Sequence, residues 1–176
     1  MHSSKKLSVG LLLALVFGGQ CDASAIPVIA NAIVTINATF TAPTCKLTMP
    51  DTVQLGGLNT GTSTHHPINI DIDCPDGASI ETGLYAQKLS GQLSGIDKIT
   101  MEYTSGGGVN PALFWLTESD GTIVKLDGSG EDNAAHAFCR GTAVLRRCIL
   151  TPNTQVFSDT TRGKVSATVR FSVMYP

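Results

Sequence analysis

Charge is scarce in this chain and nearly balanced. Twelve Lys and Arg stand against 14 Asp and Glu, a formal net charge of −2 over 176 residues, and no block of like charge occurs. That excludes the basic surface that nucleic acid requires. No Cys-x-x-Cys pair, no G-x-S-x-G elbow and no phosphate-binding Gly-rich loop is present, so common signatures of zinc, nucleophile and nucleotide chemistry are missing. No apolar run approaches the roughly 20 residues a membrane-spanning helix needs. No stretch sustains a helical period, and there is no internal repeat.

What the chain does have begins at its N-terminus. Lys5 and Lys6 form a positive n-region, residues 7–17 an apolar h-region, and Ala23-Ser24-Ala25 a small-x-small cleavage site. This is the layout of an export signal over residues 1–25. Cys21 raises a lipoprotein alternative, for which Gly19-Gln20 is a poor acylation context. The remaining 151 residues make a single-domain length with enough chain for a core. Because Lys5, Lys6 and Asp22 give the signal a net +1, that remainder carries −3. It holds four cysteines, Cys45, Cys74, Cys139 and Cys148. An even number in an exported chain points to two disulfides, with three possible connectivities.

Two long alternating patterns lie at the ends of this remainder. In residues 163–176, Val165, Ala167, Val169, Phe171, Val173 and Tyr175 share one face, while Ser166, Thr168, Arg170 and Ser172 share the other and Met174 alone breaks the polar side. That predicts one long half-buried strand, with Gly163 supplying the turn into it. In residues 26–42, Val34, Ile36, Ala38 and Phe40 face one way, and Thr35, Asn37, Thr39 and Thr41 the other. Pro43 closes this second strand.

Between them run short strand signals and turns. Strands are expected over residues 52–55, 80–89, 99–103 and 112–116, and a hairpin at Asp120-Gly121 leads into residues 122–126. Residues 58–67 read as a polar loop. Ile68, Ile70, Ile72 and Cys74 alternate with Asn69, Asp71 and Asp73, which turns Cys74 toward the core. Residues 137–150 read as two antiparallel segments turning near Gly141 and clipped by a disulfide. Phe114, Trp115 and Phe138 are expected core residues. The fold class is all-β, an immunoglobulin-like sandwich.

Chemical constellations are few. His65-His66 sits in a Gly/Ser/Thr loop, but adjacent residues on an extended chain point to opposite sides, so solvated loop histidines are the stronger reading. Asp71 and Asp73 fall on one strand face roughly 7 Å apart, within the inverting-hydrolase range, yet a solvated polar face accounts for them more simply. The loop from Asp127 to Asn133 is rich in oxygen ligands without the EF-hand spacing. No catalytic residue, metal or cofactor is expected.

Gly163 followed twelve residues later by the penultimate Tyr175, with Val165, Val169, Phe171 and Val173 between, resembles the C-terminal signature of pilins assembled by the chaperone-usher route. The alternating segment before Cys45 resembles their donor strand, and its central apolar position is Ala38 where many members carry glycine. The resemblance implies a sandwich lacking its seventh strand. A periplasmic chaperone would lend one, contacting the acceptor strand and the terminal carboxylate at Pro176. The donor segment of the next subunit, with Val34, Ile36, Ala38 and Phe40, would then replace it at an outer-membrane usher. Donor segment 26–42 and pilin domain 43–176 follow as boundaries. Neighbour pairing of Cys45 with Cys74 and Cys139 with Cys148 makes the first bond match the family's single disulfide; the second is extra. The resemblance thus implies a structural, non-enzymatic subunit of a cell-surface fimbrium, with the extra clip and Ala38 leaning toward a minor subunit. The alternative is a single-domain adhesin presenting residues 59–66 or the loop around Glu131 to a host glycan or protein receptor.

Overall fold

The computed structural model describes residues 45–75 and 80–176. The expected export signal and the segment carrying Val34, Ile36, Ala38 and Phe40 lie outside the described residues. Among the described residues twelve strands follow in order: β1 Lys46–Thr48, β2 Gly61–Thr64, β3 Ile68–Asp73, β4 Thr82–Ser90, β5 Gln92–Ser94, β6 Lys98–Thr100, β7 Glu102–Tyr103, β8 Leu113–Thr117, β9 Phe138–Gly141, β10 Leu145–Val156, β11 Val165–Ser166 and β12 Thr168–Met174. Among the described residues the only helical turn is the 3-10 segment Ala134–His136, capped by the Asn133 side chain.

The strands form a sandwich. One sheet runs β1-β3-β10-β8-β6-β5, with β2 also paired to β10; the opposing sheet runs β12-β4-β9, and β11 pairs with β7. The period-two pattern builds the core between them: Ile70, Ile72 and Cys74, with Cys148 and Leu150 of β10, meet Leu84 and Ala86 of β4 and Phe138 of β9. Residues directly opposite in an antiparallel ladder share a face. The pairs Cys148↔Ile70 and Leu150↔Ile68 therefore place their side chains on one side of the first sheet. Phe171 packs edge-on to Phe138, ring centroids 6.2 Å apart.

β10 is the spine. Its first half pairs with β3, and from Thr151 onward it pairs with β8 and then β2. Pro152 sits at the handover; it has no N–H to give, and its carbonyl accepts from the His65 backbone N–H at 2.9 Å.

Several expectations are corrected. Residues 52–55 form no strand, and β2 lies instead within the expected polar loop, where its backbone edge is needed to extend the sheet beside β10. The segments of residues 137–150 do not pair with each other: β9 bonds to β4 and β10 to β3, so the chain crosses from one sheet to the other. Arg146 fixes that crossing, donating to the carbonyls of Cys139, Ala143 and Thr82 and to Thr82 Oγ1. Trp115 alternates with the inward Phe114 and Leu116, so it faces outward, with Lys98 Nζ 4.8 Å from its ring centroid. Beyond Asp120-Gly121 the hairpin's second arm is reduced to a single bridge, Thr117↔Ile123.

The structure joins Cys45 to Cys74 and Cys139 to Cys148, with Cα atoms 4.1 and 5.7 Å apart. The first ties the chain entering β1 to the end of β3; the second stitches the two sheets across the crossing. Cys139 takes a left-handed backbone, φ +48°, which is uncommon for a side-chain-bearing residue.

Candidate functional site

The tail expected as one strand is broken at Ala167. β11 pairs with β7 through Val165↔Tyr103 and Ser166↔Glu102. β12 pairs with β4 through Phe171↔Ala86 and Val173↔Leu84, with an irregularity at Thr168/Val169. Among the described residues β12 is the end of its sheet, bonded on the β4 side only. An edge of this length is an open template for another strand.

Facing that edge, residues 49–60 run without a ladder of their own. Between the two rims lies a cleft of about 1,420 Å³. Its floor is the sandwich interior: Met101, Ala112 and Leu116 are buried, with half-buried Ile68 and Phe114 beside them. Ala167, Val169 and Phe171 form the wall along the edge strand. The polar groups lie on the rims, with Asn59 and Thr60 on one side and Thr161, Arg162 and Lys164 on the other. An apolar slot beside unpaired backbone suits an extended segment. Such a segment would gain main-chain bonds along one side and bury every second side chain in the floor.

The expected acceptor residues divide. Gly163, Val165, Val169 and Phe171 line the cleft, while Val173 packs on the core outside it. Met174 is buried and Tyr175 is 39% exposed, the reverse of the simple alternation, because the strand ends there. The Tyr175 hydroxyl accepts from the Cys45 N–H at 3.4 Å, so residue 45 and the chain end meet. Pro176 is exposed. Gly163 does not adopt a left-handed turn; its value is space, because a Cβ there would stand 3.2 Å from the Tyr103 ring.

Sequence reasoning missed the floor. Met101, Ala112 and Ile68 belong to it, and the apolar run at residues 112–116 is the signal that contained part of it. Within the rim of residues 49–60 the alternation of Val53 and Leu55 pointed to a strand and not to a cleft wall.

The other constellations are structural. The His65 ring bonds Thr154 Oγ1 at 2.8 Å, a half-buried contact, so His65 is not a solvated loop residue, whereas His66 is exposed. Asp71 pairs with Arg147 at 2.6 Å; the hydrogen bond from Arg147 holds the Asp71 carboxyl below its ordinary value. Asp127 accepts from the Ser129 backbone N–H and hydroxyl, and that hydroxyl lies 2.8 Å from His136 Nδ1. Burial acts to raise the Asp127 carboxyl, but the Ser129 bonds outweigh it and the net direction is downward. Among the described residues no group of three or more His, Cys, Asp or Glu is placed to hold a metal ion.

The arrangement defines an immunoglobulin-like pilin fold. A solved structure with the same fold is that of the P pilus rod subunit PapA, with a TM-score of 0.53 at 17% sequence identity, covering 77% of this chain and all of that one. No family model and no curated protein sequence matches the chain.

Proposed function

We propose that the protein is a structural subunit of a surface fimbrium that polymerises by donor-strand exchange. The observation that carries this reading is the cleft of about 1,420 Å³ running beside the edge of β12, which is unpaired among the described residues, floored by core residues. Residues 26–42 of a neighbouring copy are the occupant: their apolar face, Val34, Ile36, Ala38 and Phe40, has the period a strand needs to fill such a floor. Burying Val34, Ile36 and Phe40 would contribute roughly 5 to 8 kcal/mol, before main-chain bonds and ordering costs. The likeness to a pilus rod subunit supports the same role. Export by the signal at residues 1–25, protection by a periplasmic chaperone and delivery to an outer-membrane usher complete the reading. No catalytic step is assigned.

The test is to express the full chain, run it unheated in detergent gels, and repeat with residues 26–42 deleted. The expected result is a heat-sensitive ladder from the full chain and none from the deletion. A stable soluble monomer from the full chain, with no ladder at any concentration, would overturn the proposal.

A further inference from the structure

At its Gly163 end the cleft is closed by two loops, residues 104–110 and 157–164, and both are organised around one side chain. The Tyr103 ring sits between two glycines. A Cβ on Gly108 would stand 2.2 Å from the ring, and one on Gly163 3.2 Å from its other edge. The hydroxyl lies 2.7 Å from the Thr161 carbonyl oxygen and 3.1 Å from that of Val109. Its single proton is therefore shared between one carbonyl on each loop. Around it the loops are laced together: Thr161 N–H donates to Val109 O at 3.1 Å, Val109 N–H to Thr161 Oγ1 at 2.9 Å, and Thr104 N–H to Lys164 O at 2.9 Å. Asn110, itself at φ +45°, donates to the Asp159 carboxylate.

The same bundle forms cleft wall: Thr104, Thr161, Arg162, Gly163 and Lys164 all line it, and Tyr103 does not. Left to themselves, two exposed loops rich in Gly, Ser and Thr would sample many conformations, and the wall would be ordered only when a strand arrived. Tyr103 removes that cost beforehand.

We infer that Tyr103 is a positioning residue for strand acceptance, a clamp that holds the Gly163 end of the cleft in its receptive shape. It touches no occupant itself. The inference rests on the strand-accepting reading above and adds the part of the molecule that sets how readily the cleft is filled and how long it stays filled.

The experiment compares the full exported chain with its Tyr103→Phe and Tyr103→Ala variants. Trypsin cleavage after Arg162 and Lys164 reads the loop, and the temperature at which the detergent ladder dissolves reads occupancy of the cleft. Amide exchange in β3 reads the body. Phe keeps the ring between the glycines but frees both carbonyls, so cleavage at the two sites should rise about three- to tenfold, with the ladder dissolving at lower temperature. Ala should go further on both. Exchange in β3 should stay as in the wild type, because a residue acting only through global stability would move all three readings together. Unchanged cleavage in both variants, or a ladder equally heat-resistant in all three proteins, overturns the clamp. If Tyr103→Ala fails to accumulate, the Phe variant decides. Absence of any ladder from the wild type overturns the strand-accepting reading, and the cleavage rates still show whether Tyr103 holds the loops.

Discussion

Ala167 is the position at which the strand-accepting reading is most exposed to refutation. It lies in the cleft wall at the break between β11 and β12, half-buried and packed on the core. Ala167→Asp removes a single methyl contact, about 0.8 kcal/mol of burial at most, and in an open cleft the new carboxylate can still reach water. The body should therefore fold nearly as before. Once a neighbour's strand covers the cleft, the same carboxylate is dehydrated without a partner, a penalty of about 3 to 5 kcal/mol by comparison with broken buried ion pairs. Set against roughly 5 to 8 kcal/mol of apolar gain, this should weaken the assembled state by roughly 100- to 1,000-fold or more. The assay is heat dissociation of the detergent ladder, with Ser172→Asp, on the opposite face of β12 and outside the cleft lining, as the control that should behave as wild type. Acidifying the sample to protonate the introduced carboxyl should restore part of the loss. A wild-type ladder from Ala167→Asp would mean that this wall is never covered.

Two further outcomes follow from geometry described above. Replacing both Cys139 and Cys148 by Ala removes a bond closing a 9-residue separation and should cost about 2 to 3 kcal/mol; the Cys45/Cys74 pair, separated by 29 residues, should cost about 3 to 4, both read from denaturant midpoints of the full chain. Asp127 titrates below its ordinary value in the folded chain, so its contribution is present above about pH 4 and is lost as pH falls through the folded value. Thermal midpoints measured between pH 5 and 2 should fall less steeply for Asp127→Asn than for the wild type.

Much of the sandwich was legible because burial and alternation coincide. Ile70, Ile72 and Cys74 of β3 are buried where their period-two pattern puts them, and the apolar side of the tail packs inward from Ala167 to Val173. Legibility failed wherever a strand exists to serve a neighbour's backbone and not to bury its own side chains. β2, Gly-Thr-Ser-Thr, has almost nothing apolar to declare it; only its pairing with β10 makes it a strand. The reverse happened at residues 52–55, whose Val53 and Leu55 imply a strand but which line a cleft instead. Trp115 was misassigned because composition says core while register says surface. The role of Gly163 was invisible for a similar reason, since what it accommodates is a ring sixty residues earlier in the chain. The cleft itself was half legible: its edge strand could be read from the tail, but its floor is drawn from β3, from β8 and the residue ahead of it, and from Met101 between β6 and β7.

The bond between Cys45 and Cys74 has a mechanical meaning. In a fibre whose subunits are linked through the residues ahead of Cys45, tension would enter each body at that point. β1 alone offers three residue pairs against β3, a ladder that could be peeled open from its end one rung at a time. The disulfide passes the load directly to the end of β3, past β1. There it meets the six consecutive pairs between β3 and β10, together with the core beneath them. A pull that could unzip the edge of the sheet becomes one that must act on its centre.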